Sequence, residues 1–334
     1  MSTPRADADP AELLAAASAG DRLALARLLS AVERGGSRGR QVAGMAYRTG
    51  AVAATIGITG APGAGKSTLT GRLITEARRH HDQVAVVAID PSSPYTGGAI
   101  LGDRIRMQDH ALDEGVYIRS LATRGHLGGL TVAVPEALRV LAAVGMPLVL
   151  VETVGVGQVE VEVASATDTT VVVVNPRWGD AVQANKAGLL EVADVFVINK
   201  ADMPGARETR RDLEQMLDMS ASGDWRPPVV ETVAASGDGV GDLWEAILGH
   251  QQHLVTTSQL QQRRAERLER ELRRVLANRI AEEVDRICAG DAYTALAAEV
   301  TRHRVDPYEA ADELMARGGD DARQAVGPTG DERG

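Results

Sequence analysis

The octapeptide Gly60-Ala61-Pro62-Gly63-Ala64-Gly65-Lys66-Ser67 limits this chain more than any other stretch of it. Its spacing is that of a P-loop, and a P-loop works only between a strand and a helix. The β-branched run Ala54–Thr59 (ATIGIT) precedes it, and Leu69, Leu73 and Ala77 follow on one face of a helix that begins at Lys66. The glycines turn backbone N–H groups inward around a β-phosphate, and the helix presents its positive dipole end to the same group. Gly60, Gly63, Ala64, Gly65 and Thr68 therefore line the phosphates. Lys66 bridges β- and γ-phosphates, and the Ser67 hydroxyl ligates Mg²⁺.

Further apolar runs at Val84–Ile89, Leu148–Val151, Val171–Val174, Val195–Ile198 and Val229–Val233 alternate with amphipathic segments. Continuous apolar strands separated by helices predict a mostly parallel sheet buried on both faces, an α/β fold. Residues 1–50 read as a helical extension, 51–250 as the nucleotide domain, and 251–334 as a helical arm ending in a Gly/Asp-rich flexible tail. Within the arm a single long helix is expected over Gln251–Val284, its apolar stripe drawn by Leu268, Leu272, Val275, Ile280 and Val284, followed by a shorter helix over Pro307–Met315. Aromatics are only 3% of the chain, so aliphatic side chains must fill the core.

The formal net charge of −10 argues against a nucleic-acid or anionic-membrane surface. No apolar run approaches the roughly 20 residues needed to span a bilayer, and the acidic, Ala-rich start lacks a signal-peptide pattern. The single cysteine, Cys288, excludes an intramolecular disulfide, and no Cys/His cluster has zinc spacing. These features predict a cytoplasmic chain.

Asn199-Lys200-Ala201-Asp202 follows the strand Val195–Ile198. An aspartate there accepts from both N1–H and the 2-amino group of guanine, a donor pair adenine lacks. The Lys200 stem lies along the base, and Asn199 ties this loop to the P-loop. Val233-Ala234-Ala235-Ser236, after another strand, is expected to close over the base, with Ala234 and Ala235 nearest to it. The two motifs together imply GTP and GDP as ligands. Glu152-Thr153-Val154-Gly155 ends the strand Leu148–Val151: the carboxylate suits the Mg²⁺ shell, and the Gly155 N–H suits the γ-phosphate. Asp90 and Asp103 bracket a Gly-rich stretch of the kind that orders around γ-phosphate and metal. Gln158 stands three residues past Gly155, not next to it, which leaves no assigned residue to position the attacking water. Lys66, Lys186 and Lys200 are the only lysines among the 36 basic residues, and two of them fall in nucleotide motifs; Lys186 is a candidate to bring positive charge to the γ-phosphate.

Taken together, the P-loop, DPSSPYTGGAILGDRIRM at Asp90–Met107, TRGHLGGL at Thr123–Leu130, ETVGVGQ at Glu152–Gln158 and NKAD resemble the MeaB/ArgK GTPases. These are G-protein chaperones of adenosylcobalamin-dependent acyl-CoA mutases, notably methylmalonyl-CoA mutase. The resemblance implies a SIMIBI-type P-loop NTPase with N- and C-terminal helical extensions. It implies metal and switch roles for Asp90, Asp103 and Glu152, a further switch over Asn175–Lys186 that contacts the mutase, and a homodimer made by the C-terminal helices. Pro176-Arg177-Trp178-Gly179-Asp180 departs from the family's Pro-Gly-x-Gly-Asp, which bears on partner choice. Two other functions compete: a nucleotide-dependent kinase, the old ArgK transport reading, and a nickel-metallochaperone GTPase.

Overall fold

The computed structural model describes residues 8–91, 110, 112–123, 133–153, 163–176, 191–220 and 224–325. Three helices, α1 (Pro10–Ser18), α2 (Arg22–Arg34) and α3 (Gly36–Arg48), precede the sheet. Asp9 and Asp21 start the first two by accepting from backbone N–H groups of the opening turn, Ala11 for Asp9 and Leu23 and Ala24 for Asp21. There follow β1 (Ala54–Gly60), α4 (Lys66–Ala77), β2 (Val84–Pro91), β3 (Val116–Thr123), α5 (Ala133–Ala143), β4 (Leu148–Thr153), β5 (Thr169–Val174), β6 (Val195–Asn199), α6 (Ala206–Ser220), β7 (Val229–Thr232) and α7 (Val240–Thr256). Three more helices, α8 (Gln259–Cys288), α9 (Asp291–Thr301) and α10 (Pro307–Ala325), complete the described chain.

The seven strands form one parallel sheet in the order β3-β2-β4-β1-β5-β6-β7. The order reverses direction around β1, so the crevice above its carboxyl end is where a ligand fits such a sheet. Side chains alternate between two apolar layers, as strands buried on both faces require. Val84 and Val86 of β2 and Leu148 and Leu150 of β4 join Leu69, Leu73 and Ile74 of α4 and Leu243 and Ile247 of α7. Ala85, Val87, Val149 and Val151 turn the other way, into a cluster with Leu25, Leu28 and Leu29 of α2 and Val134 and Leu141 of α5. The N-terminal helices thus share a core with the sheet. A third cluster seats Leu213 and Leu217 of α6 on Val172, Val174, Phe196 and Ile198.

The amino ends of β5 and β6 are tied by buried carboxylates. Asp168, 3% exposed, accepts from Arg264 (2.6 Å) and Arg267 (3.2 Å) of α8 and from the Thr55 N–H (3.3 Å). Burial pushes its carboxyl up, but the Arg264 hydrogen bond, the charges of Arg267 and Arg264 and the Thr55 N–H outweigh that and hold it below the usual range. Asp194 accepts from the Thr170 N–H (2.8 Å) and from Arg263 (3.0 Å), and the ring of fully buried His250 lies 3.1 Å from it.

Several sequence expectations shift. β3 was not foreseen. The helix expected over 251–284 is two helices, broken at Thr257 and Ser258, where Ser258 has φ 59°. The helix expected to end at Met315 runs on to Ala325; residues 326–334 lie outside the described chain. The chain divides into two compact units, 1–267 and 268–334. In the second unit Leu268, Leu272, Leu276, Ile280 and Val284 are 42–68% exposed, and no residue of α8 is buried. No helix among the described residues is long and apolar enough to cross a membrane.

Candidate functional site

Strand register puts the motif residues at one edge. Ile58 of β1 lies opposite Glu152 of β4, and Gly60 opposite Val173 of β5. Asn199 of β6 lies opposite Thr232 of β7, and Ala88 of β2 opposite Glu152. The carboxyl ends of β1, β4, β6 and β7 therefore meet around residues 60–67.

Two glycines of that loop are required by contact as well as by φ. Gly60 has φ 131°, and a Cβ there would stand 2.0 Å from the Val173 carbonyl oxygen. Gly65 has φ 91°, and a Cβ there would stand 2.4 Å from Asn199 Nδ2. Gly65 also precedes α4 without a side-chain cap, so first-turn N–H groups of α4 face the loop. Lys66 is 6% exposed, and its ammonium donates to the carbonyls of Gly60 (2.6 Å) and Ala61 (3.1 Å). The Ser67 hydroxyl donates to Glu152 Oε1 at 2.6 Å, and Glu152 is fully buried. Behind them the Thr153 hydroxyl donates to that of Thr59 at 3.1 Å. A hydroxyl and a carboxylate held this close are two hard oxygen donors of the kind Mg²⁺ takes. Thr68 is exposed on the first turn of α4.

Asn199 joins the phosphate loop to the opposite side of the crevice. Its Nδ2 donates to the Ala64 carbonyl (2.7 Å), while its Oδ1 accepts from the Ala234 N–H (3.0 Å) and the Thr232 hydroxyl (3.2 Å). Lys200 adopts a left-handed φ of 61°, and its ammonium donates to the Gly63 carbonyl (2.8 Å). The Ala201 N–H donates to the Thr232 carbonyl (3.0 Å), leaving the next carboxylate, Asp202, exposed at the rim. The loop after β7 is closed by a Val233 N–H to Asp238 carbonyl bond of 3.0 Å.

The structure thus brings Gly60, Gly63, Ala64, Gly65, Lys66, Ser67, Glu152, Asn199, Lys200 and Ala234 into one hydrogen-bonded edge. Asp90 is placed only as backbone, at the carboxyl end of β2. Asp103, Gly155 and Lys186 lie outside the described residues, as does most of the 175–186 stretch. One contact had no sequence signal. Exposed Arg72 of α4 donates through Nε to the Ala234 carbonyl (3.0 Å) and through a terminal nitrogen to the Ala235 carbonyl (2.6 Å). An arginine on the polar side of an amphipathic helix gives no hint of a partner so distant in sequence.

Known proteins resemble this chain over most of its length. Residues 25–289 match the family described as methylmalonyl Co-A mutase-associated GTPase MeaB. A Pyrococcus abyssi protein whose name carries GTPase as a provisional assignment is 46% identical over 91% of this chain and 95% of its own. The GTPase ArgK of Escherichia coli is 41% identical over 62% of this chain and 64% of its own. The mitochondrial methylmalonic aciduria type A homolog of Mus musculus is 37% identical over 63% of this chain and 52% of its own. Among solved structures, one titled LAO/AO transport system kinase superposes with a TM-score of 0.69 at 27% identity, over 94% of this chain and 99% of that one.

Proposed function

The chain belongs to the MeaB family of GTPases, and from that premise we propose that it is the G-protein chaperone of an adenosylcobalamin-dependent acyl-CoA mutase, methylmalonyl-CoA mutase or a relative. GTP lies with its phosphates in residues 60–68 and its base between Asp202 and the Ala234–Ala235 loop. The observation that carries this reading is the double use of Asn199, which joins Ala64 of the phosphate loop to Ala234 of the base loop. One side chain sets the spacing of both halves of the nucleotide.

Each residue then has a defined task. The Lys66 ammonium exchanges its Gly60 and Ala61 carbonyls for β- and γ-phosphate oxygens. Ser67 and Glu152 would hold Mg²⁺, with Asp90 and Asp103 as further carboxylates for it, and the cation would offset phosphate charge. Asp202 accepts from guanine N1–H and the 2-amino group, and the Lys200 stem covers the base. The Gly155 N–H meets the γ-phosphate. With no glutamine directly after Gly155, the attacking water is loosely held and turnover alone is slow. The partner orders residues 175–186 and brings Lys186 to the developing charge, a contribution of about 10³–10⁵ in other GTPases.

A second copy of the chain covers the exposed Leu268–Val284 stripe, making the homodimer. The nickel-carrying alternative would need a Cys/His metal site at the dimer interface, and a single cysteine, Cys288, with scattered histidines gives it little support. The kinase alternative is separated by nucleotide choice. The test is GTP and ATP turnover with and without purified methylmalonyl-CoA mutase, for wild type and Lys186→Ala. Preference for GTP and a partner stimulation that shrinks in the variant support the reading. Preference for ATP overturns the nucleotide assignment, and no stimulation by the mutase overturns the partner.

A further inference from the structure

The loop that closes over the base is held from both sides, and the second hold belongs to a residue that none of the nucleotide motifs contains. Asn199 takes the Ala234 N–H at 3.0 Å. Arg72 takes the Ala234 carbonyl at 3.0 Å and the Ala235 carbonyl at 2.6 Å. Of the four backbone groups of these two residues, only the Ala235 N–H has no hydrogen-bond partner among the described residues.

Peptide geometry gives that arrangement a consequence. The Ala234 carbonyl and the Ala235 N–H belong to one planar trans unit, so they point in opposite directions. Clamping the oxygen toward α4 therefore aims the N–H away from Arg72. The planar fork of a guanidinium suits this task, because it can grip two successive carbonyls at once. Guanine carries an acceptor at its 6-position, where adenine carries an amino donor. An aimed N–H favours the first. The Ala234 carbonyl, turned toward Arg72, points the opposite way and is not offered to the second.

We propose that Arg72 is a positioning residue for base selection, directing the Ala235 N–H at the 6-oxo group of guanine. The proposal rests on the guanine site described above. Arg72 stands on the same helix as Ser67, so it also ties the base loop to the phosphate-binding helix. Because the side chain is exposed, its removal leaves the folded core intact.

The experiment is calorimetric titration of wild type and Arg72→Met with GDP, IDP, 6-thio-GDP and ADP, with thermal unfolding of both proteins. IDP keeps the 6-oxo group and lacks the 2-amino group, while 6-thio-GDP replaces the oxygen with a weaker acceptor. In Arg72→Met the affinities for GDP and IDP should fall together by roughly tenfold, as expected for loss of one well-aimed hydrogen bond. Affinity for 6-thio-GDP should fall much less, so the GDP to 6-thio-GDP ratio moves toward one while the melting temperature stays near wild type. An equal loss for all guanine analogues, or no loss, would overturn the proposal and leave the site reading standing. A wild type that binds ADP as tightly as GDP would overturn the site itself.

Discussion

Replacing Asn199 with alanine would strand two buried backbone groups, the Ala64 carbonyl and the Ala234 N–H. Each buried unpaired group costs about 1–3 kcal/mol, so Asn199→Ala should lower unfolding free energy by a few kcal/mol in denaturant titration. It should also weaken GDP binding more than its stability loss explains, since both loops lose their common tie. Asp202→Asn makes the opposite kind of test. The side chain is exposed and carries no fold, so stability should hold while GTP affinity falls by ten- to a hundredfold and xanthine nucleotides gain, measured by competition binding. Unchanged base preference would remove Asp202 from recognition. At Glu152, the 2.6 Å contact with Ser67 separates two roles: Glu152→Gln should keep much of the GDP affinity yet lose most Mg²⁺-dependent turnover. Equal losses in both would make Glu152 a general support of the site.

At the scale of elements, the anchoring of α8 through Asp168 sets an acid limit. Its carboxyl is held below the usual range, so its stabilising contribution is complete above the ordinary carboxylate value and is lost as pH falls through the depressed one. Melting temperature should therefore drop as pH falls below about 4, and Asp168→Asn should flatten that limb. The guanidiniums of Arg264 and Arg267 are 28% and 20% exposed, so the loss in Asp168→Asn at neutral pH should be about 1–3 kcal/mol, less than for a fully buried pair. An acid limb of equal slope in both proteins would assign it to other carboxylates. Strands β1, β2, β4, β5, β6 and β7 were legible because a sheet covered on both faces needs unbroken apolar runs. β3 was not, because its Arg119 leaves the apolar pattern to meet Ser30 and Glu33 of α2. The glycine loop after β1 and its tie to Asn199 were legible from spacing, since Gly60 and Gly65 have no room for a Cβ and the Asn199 side chain bridges two backbone groups. Arg72 was not, because its partners are carbonyls, which every residue has. The break at Ser258 escaped notice because nothing in Thr-Thr-Ser marks a positive φ.

Across the whole molecule, the burial pattern separates what must stay from what can be removed. Leu28 is 1% exposed in the layer that joins α2 to the sheet, so Leu28→Ala should cost about 2–5 kcal/mol in thermal or chemical unfolding, a penalty unexpected of a detachable extension. Cutting after Arg267 keeps the Asp168 anchor and removes the exposed leucine stripe. Sedimentation should find that truncated protein monomeric and still able to bind GDP, while the full chain is dimeric at micromolar concentration. A monomeric full chain would remove the arm from assembly. The contact between Gly65 and Asn199 reaches further still, into what mutation can explore. A side chain at 65 would strike the very amide that holds the base loop, so any change at either position is filtered by the identity of the other. Such pairs are epistatic, and their double-mutant effects depart from additivity. Across the lineage the two positions should therefore drift together or not at all, and an alignment of relatives in which 65 varies freely beside an unchanged 199 would contradict that history.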